Sequence, residues 1–297
     1  MAIKRKNSVE RARKKAAWVF LLPWLLGLVC FFAVPIIYSV IYSLSDVAIS
    51  TEKIGLTISF KGIFNYNYLF FRDAEFMVTV GDSMAELLYT VPVIFIFSIF
   101  VALLLNQKFK GRGLVRSVFF LPVIIASGVV MKIINGDVFV QNNMSGSSAT
   151  FQTDAISEIL LRAGIPQNIS KIVTQVTGGV FDLSWKSGIQ ILLFISALQS
   201  ISPSYYEAAS VEGANAWESF WKITFPLISP TSLLVIIYSI IDSFTDVSNG
   251  VMKSMMERFN HFYYGIASAS AIIYTLAILI IIGIVMFIFR KSIFHNS

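Results

Sequence analysis

Two constellations in this chain of 297 residues have side chains and spacings that could do chemistry. The first is a polar stripe, Tyr238, Asp242, Thr245, Asp246 and Asn249, spaced at roughly i, i+4, i+7, i+8 and i+11, so that a helix through them carries all five on one side. Carboxylates accept hydrogen bonds from solute hydroxyls, and the phenol, hydroxyl and amide add further donors and acceptors, so this is binding chemistry without a covalent step. Trp185 as an aromatic platform and Gln190 as a hydroxyl partner suit the same kind of ligand, while Asp182 and Lys186 are spaced as an i, i+4 pair. A plainer description also fits: the stripe as a solvated helix end, and Trp185 as a membrane-interface residue. Bond-breaking chemistry has little to work with. The histidines are His261 and His295, the lone cysteine is Cys30, and neither a His-Glu-x-x-His helix nor a Gly-rich phosphate loop ending in Lys-Ser/Thr occurs. No catalytic residue, metal ligand, bound cofactor or nucleotide site is expected in this chain.

The second constellation is the stretch from Ser202 to Pro226, whose punctuation specifies two short helices and an elbow. Ser202 can cap a helix with Pro203 in its first position, and the run through Val211 is helix-compatible. Gly213 stands where a left-handed residue would end that helix. Asn215 followed by Glu218 is a capping-box start for the next one, and Trp217, Phe220, Trp221 and Thr224 recur at helical spacing before Pro226 and Pro230. Tryptophans on a short amphipathic helix suit a membrane interface.

Both constellations need elements to hold them, and composition says what solvent those elements face. Apolar residues make up 56% of the chain, charged residues 13%, and the mean hydropathy is +0.74, far from an ordinary soluble domain. A hydrocarbon core about 30 Å thick takes roughly 20 apolar residues of helix to cross. The runs that qualify lie near Ala17 to Leu44, Ser83 to Leu105, Gly113 to Ile134, Phe181 to Ile201, Pro226 to Val247 and Gly265 to Phe289. The expected fold is therefore all-α and polytopic, with about six transmembrane helices and a short cytoplasmic helix between the fourth and fifth. The divisions are a basic N-terminus over 1–16, a membrane domain over 17–289 containing the loop 202–225, and a tail over 290–297. The first run is longer than the apolar stretch of a cleavable signal, so it reads as a permanent anchor.

Charge gives the orientation. Lys4, Arg5, Lys6, Arg11, Arg13, Lys14 and Lys15 face only Glu10 before the first run, which places the N-terminus in the cytoplasm; Lys108, Lys110, Arg112, Arg116, Arg290 and Lys291 agree for the later inner segments. The net charge of +6 is thus spent on topology, and nucleic acid is not an expected partner. The loop 202–225 departs from the rule, carrying Glu207, Glu212 and Glu218 against Lys222. The outer segment from Asn135 to Val180 shows a short helix pattern from Asp154 to Ala163, stopped by Gly164 and Pro166.

Glu207-Ala208-Ala209, Gly213-Ala214, Phe220, Ile223, Pro226 and Pro230 resemble the cytoplasmic loop of the integral membrane permeases of binding-protein-dependent ATP-binding-cassette (ABC) importers. That loop is marked by Glu-Ala-Ala, then Asp-Gly about three residues on, and a later Pro. Glu212 stands where Asp is usual, one methylene longer with the charge kept. Phe20-Leu21-Leu22-Pro23, Pro35-Ile36-Ile37-Tyr38-Ser39, Gly62-Ile63-Phe64-Asn65-Tyr66 and Arg116-Ser117-Val118-Phe119-Phe120-Leu121-Pro122 are similar to the first-permease branch that serves carbohydrates and glycerol phosphate. The resemblance implies a non-catalytic permease subunit in a bacterial plasma membrane, with both termini cytoplasmic. It implies two ATPase subunits that hold ATP and Mg, a second permease in a heterodimer, an extracytoplasmic solute-binding protein, and surrounding lipid. It further implies that Tyr206, Glu207, Ala208 and Ala209 dock in an ATPase cleft, with Glu212, Gly213 and Ala214 forming the elbow. The competing class is a secondary transporter or channel driven by an ion gradient, with Glu86 or Asp242 as the ion site.

Overall fold

The computed structural model describes residues 17–49, 55–107, 110–111, 113–117 and 159–293. Helix α1 (Ala17–Ser43) is followed by a hairpin of β1 (Ser45–Ile49) and β2 (Leu56–Phe60), then α2 (Phe64–Phe71) and α3 (Ala74–Asn106). After the described fragments come α4 (Gln167–Lys186), α5 (Gly188–Ser200), α6 (Pro203–Val211), α7 (Ala216–Ser219), α8 (Phe225–Thr245), α9 (Gly250–Asn260) and α10 (Tyr264–Ile293). Among the described residues, four helical stretches are long and apolar enough to cross a membrane: Ala17–Ser43, Ala74–Asn106, Ala216–Asn260 and Tyr264–Arg290. A fifth is the pair α4 and α5, which meet at 58° across Ser187. Thus the region expected to give one span from Phe181 to Ile201 is divided, and the expected span beginning at Gly113 lies beyond residue 117 outside the described residues, as do the basic N-terminus and the final residues of the tail.

Two prolines shape two spans in the same way. Pro35 and Pro226 each lack an N–H, and each stands two residues after a π-helical turn, Val29–Ala33 and Phe220–Thr224. Val34 N–H bonds to Val29 O, and Phe225 N–H to Phe220 O, so the wider turn accommodates the missing donor without ending the helix. The second of these turns joins α7 to α8.

The chain forms two compact units, residues 1–79 with 254–276 and residues 80–253 with 277–297. The first is organised around polar pins. Asn65 Nδ2 donates to Ser43 O and Ser45 O at 2.9 Å each, and Tyr66 Oη donates to Ser43 Oγ at 2.8 Å, so α2 closes the end of α1. A Cβ on Gly265 would collide with Ser45 O and crowd Asn65 Nδ2, so only glycine fits where α10 starts. Asp73 Oδ1 accepts the N–H of Phe76 at 3.0 Å, capping α3, while Oδ2 takes Arg258 Nη2 at 2.7 Å; both side chains are 16% exposed. The Arg258 guanidinium also lies 5.2 Å from the Phe76 ring centre. The hairpin is a local antiparallel pair with Ser45 opposite Phe60 and Ile49 opposite Leu56.

The second unit holds an apolar core. Ile191, Phe194, Ile195 and Leu198 recur at i, i+3, i+4 and i+7 along α5 and pack with Ile99, Ala102 and Leu105 of α3 and with Ile228 and Val235 of α8. Phe95 and Phe194 stack edge to face at 5.5 Å. Ser232 and Ser239, small and buried one heptad apart, let α8 pack closely within this core.

Candidate functional site

The elbow is built by two end caps facing each other across a short bend. Ala214 N–H bonds to Ala209 O at 2.9 Å and Gly213 N–H to Ser210 O at 3.1 Å, the paired bonds of a Schellman ending. Gly213 has φ +79, where a side chain costs roughly 1–2 kcal/mol, and a Cβ there would meet nothing within 4 Å. The glycine is therefore required by backbone conformation alone. Beyond it Asn215 Oδ1 accepts Glu218 N–H at 2.9 Å and Glu218 Oε2 accepts Asn215 N–H at 3.1 Å, a complete capping box. Ser202 occupies the N-cap position of α6, but its hydroxyl bonds Ser204 Oγ at 2.8 Å instead of a backbone N–H.

Helix α6 presents two different sides. Ala209 is 7% exposed, and Tyr206 Oη hydrogen-bonds Thr224 Oγ1 at 3.0 Å, so this side is turned toward the root of α8. Ser204, Glu207, Ala208 and Val211, spaced i, i+3, i+4 and i+7, are exposed, with Val211 at 90%. Of the four residues expected to dock a partner, Glu207 and Ala208 lie free, Ala209 faces the chain itself, and Tyr206 is exposed along its ring while its hydroxyl reaches Thr224. Val211 was read from sequence only as the end of the helix, and Thr224 only for its helical spacing with Trp217, Phe220 and Trp221. The signal for Val211 was its place one turn beyond Glu207 and Ala208; the Thr224 bond had none, because it joins residues 18 apart across the bend. Glu212 ends α6 and is exposed, and Ala214 is half-buried. An aromatic cluster follows, with Trp217–Trp221 centroids at 5.6 Å, Phe220–Trp221 at 5.0 Å and Trp221–Phe225 at 5.2 Å. Just before the elbow, Arg116 Nη2 donates to Leu105 O at 2.9 Å, and the Gln199 amide oxygen, when turned toward the guanidinium, accepts from Nη1 at 3.0 Å and from Nη2 at 3.1 Å. The start of the third expected span is thereby tied to the ends of α3 and α5.

The polar stripe is rearranged by the end of α8. The helix stops at Thr245 because Asp246 turns extended, with ψ 126, and its Oδ1 accepts the N–H and Oγ of Ser248 at 2.8 and 2.7 Å. Asn249 is thus brought in by a turn rather than by helical phase; its Oδ1 accepts Ser83 Oγ at 3.2 Å and the N–H of Val251 at 2.9 Å. Asp246 Oδ2 pairs with Lys186 Nζ at 3.2 Å across the two helix breaks. Together with Ser83, Glu86 and Thr90 of α3 these residues line a pocket of about 40 Å³, room for a few water molecules and too small for a sugar. Ser83, Glu86 and Thr90 fall at i, i+3 and i+7 on one side of α3, a polar spacing visible in the sequence.

The other stripe residues lie elsewhere. Thr245 Oγ1 bonds back to Ile241 O at 2.9 Å. Tyr238 and Asp242 are half-buried on α8 outside this pocket, and Trp185 is half-buried near the end of α4. Gln190 is fully buried and donates to Ser239 Oγ at 3.2 Å, joining α5 to α8. In this conformation Gln190 is a tie between helices.

This chain is similar to several known transport proteins. It is 27% identical over 315 aligned residues to the probable ABC transporter permease protein YesP of Bacillus subtilis (strain 168), covering 98% of this chain and 94% of that protein. It is 29% identical over 290 residues to the multiple sugar-binding transport system permease protein MsmF of Streptococcus mutans, with 90% and 91% covered, and 29% over 240 residues to the arabinooligosaccharides transport system permease protein AraP of Bacillus subtilis, with 78% and 70% covered. Its fold is similar to that of a chain in the crystal structure of a bacterial alginate ABC transporter in complex with alginate pentasaccharide-bound periplasmic protein, with TM-score 0.63 at 19% identity over 96% of this chain and 97% of that one. The model of the binding-protein-dependent transport system inner membrane component matches residues 79–294, a stretch that includes the elbow and the polar pocket. The chain belongs to that family of transport permeases.

Proposed function

We propose that this chain forms part of the carbohydrate pathway of an ATP-driven importer and that α6 is the point at which force from an ATPase subunit enters it. The observation that carries the reading is the elbow: a nine-residue helix with one free side, ended by a left-handed glycine and held to α8 by Tyr206 and Thr224. Such a helix can be pushed as a body, and the push reaches α8 through a hydrogen bond and a continuous helix. Ser204, Glu207, Ala208 and Val211 form the docking side; the small and short side chains admit a close-fitting cleft. A carbohydrate substrate is supported by the sugar-related names of several relatives. An extracytoplasmic solute-binding protein is supported by the periplasmic protein in the similar alginate transporter.

The rest of the assembly follows from this reading. Two ATPase subunits bind ATP and Mg, a second and different permease faces this one, and both termini of this chain lie in the bacterial cytoplasm, with six spans including the one begun at Gly113. Tyr238, Asp242, Asp246 and Asn249 lie along the solute path, where hydroxyl-rich ligands meet carboxylates and amides; a closed 40 Å³ pocket would have to widen as the subunits rock. The test is made on the assembled complex with radiolabelled neutral oligosaccharides. Glu207→Lys should abolish uptake while the complex still assembles, because a cation replaces an anion in the middle of the docking side. Wild-type uptake by Glu207→Lys would overturn the docking assignment, and purification of the chain from its native membrane without any ATPase subunit would overturn the importer reading as a whole.

A further inference from the structure

Helix α2 is held at the membrane boundary through its first turn. Its buried side is pinned to the last residue of α1 by Asn65 and Tyr66. At its other end only Arg72 and Asp73 stand between Phe71 and the first residue of α3, a path of about 11 Å at most. Both α1 and α3 are long and apolar enough to cross a bilayer. The polar zone of a bilayer is about 5–8 Å deep on each side of the hydrocarbon, so a helix whose first turn is pinned to Ser43, at the end of the apolar run of α1, starts within or just above it; α3 begins before its own apolar run from Ser83 and sets no depth.

The outer side of α2 is unlike a solvated surface at that depth. Phe64, Asn67, Tyr68 and Phe71 follow one another at i, i+3, i+4 and i+7 and, with Arg72, line a groove of about 310 Å³. Phe71 is 84% exposed. Arg72 makes no ion pair among the described residues, whereas nearby Lys61 is paired with Asp46 and sits 5.6 Å from the Phe64 ring centre. Rings on one helix side next to a guanidinium with no ion pair among the described residues match the two parts of a phospholipid: upper acyl chain for the rings, phosphate for the planar fork of Arg72. We propose that the exposed side of α2 is a phospholipid-binding foot, with Phe64, Tyr68 and Phe71 in the upper acyl region and Arg72 on a lipid phosphate.

The foot goes beyond the transport reading and is tested without it. The assembled transporter carrying Cys30→Ser and Phe71→Cys, spin-labelled at the new cysteine, is placed in nanodiscs of phosphatidylcholine and phosphatidylglycerol. Accessibility to oxygen and to a water-soluble nickel chelate is then compared with a lipid reference, Ile280→Cys, and with free label in buffer. The expected result is an oxygen-to-nickel ratio between the two references and several-fold above the free label. A ratio matching free label overturns the proposal in favour of open solvent, and a label inaccessible to both agents overturns it in favour of a protein partner. Adding Arg72→Glu should move the label toward the aqueous value, and an unchanged ratio would refute the phosphate contact. Phe64→Cys supplies an independent reading of the same side should Phe71→Cys fail to assemble.

Discussion

Single residues in this chain are fixed by contacts of two kinds, and only one kind could be read in advance. Gly213 and the Asn215–Glu218 box are local: the residues that satisfy each backbone group lie within five positions, so residue type and spacing sufficed. Gly265 is fixed by a carbonyl 220 positions away, Ser45 O, and nothing near Gly265 announces it. Gly265→Val should therefore destabilise the first unit by about 1–3 kcal/mol, as overpacking usually does, and lower the thermal midpoint of the detergent-solubilised complex. Gly27→Val, where a Cβ meets nothing within 4 Å, is the matched control and should leave that midpoint nearly unchanged. Asp73 and Arg258, 185 positions apart, were equally illegible. Their pair is 16% exposed on each side, so Asp73→Ala leaves a half-starved guanidinium and an uncapped α3 and should cost about 3–5 kcal/mol. Replacing both, as Asp73→Ser with Arg258→Met, should recover much of that loss in the same melting assay, since serine restores the cap and no buried charge is stranded.

At the level of elements, the helices that sequence made visible are those with strong apolar runs and clean punctuation, such as the stretch from Ser202 to Thr245. Less visible were the hairpin at Ser45–Phe60, whose strands are too short and mixed to stand out beside the flanking spans, and the break at Ser187, whose Ser-Gly pair with Gly188 is a turn signal lying inside a stretch that reads as one apolar span. The polar stripe was drawn on one helix, yet the Asx turn at Asp246 ends α8 four residues before Asn249. The elbow allows a graded prediction. Asn215→Ala removes half of the capping box and should loosen α7 by about 1 kcal/mol, whereas Gly213→Ala strains the bend by about 1–2 kcal/mol through its positive φ. Both leave the proposed docking side intact, so on that proposal both should retain ATPase binding in co-purification; if transport depends on the bend angle, Gly213→Ala should lose more uptake than Asn215→Ala.

For the whole molecule, the family assignment rests on residues 79–294, and a transport permease of this kind carries no hydrolytic machinery of its own. Uptake should therefore stop when the partner ATPases are inactivated, and the purified chain alone should release no phosphate from ATP; turnover by a preparation free of nucleotide-binding subunits would contradict this. The polar pocket offers a second check at this scale. Asp246→Asn keeps the Ser248 turn while removing one charge of the Lys186 pair, and as a half-exposed pair it should change stability by no more than about 1 kcal/mol. A clear effect on uptake with an unchanged melting temperature would place that pair in the transport cycle.

The π turn at Phe220–Thr224 gives the chain one residue of slack. A wide turn holds an extra residue between two helical stretches without changing which way the later one faces, so α8 keeps its phase with α7 only because the surplus is absorbed there. Deleting exposed Lys222 should tighten the turn and leave the downstream faces where they are, at the expense of the room that the wide turn gives Pro226. Deleting one residue between Ser232 and Ser239 has no such reserve: every later side chain would swing by about 100°, carrying Ser239 away from Gln190 and Asp246 away from Lys186. Single-residue deletion scanning, read by assembly of the complex, should find the first site forgiving and the second intolerant.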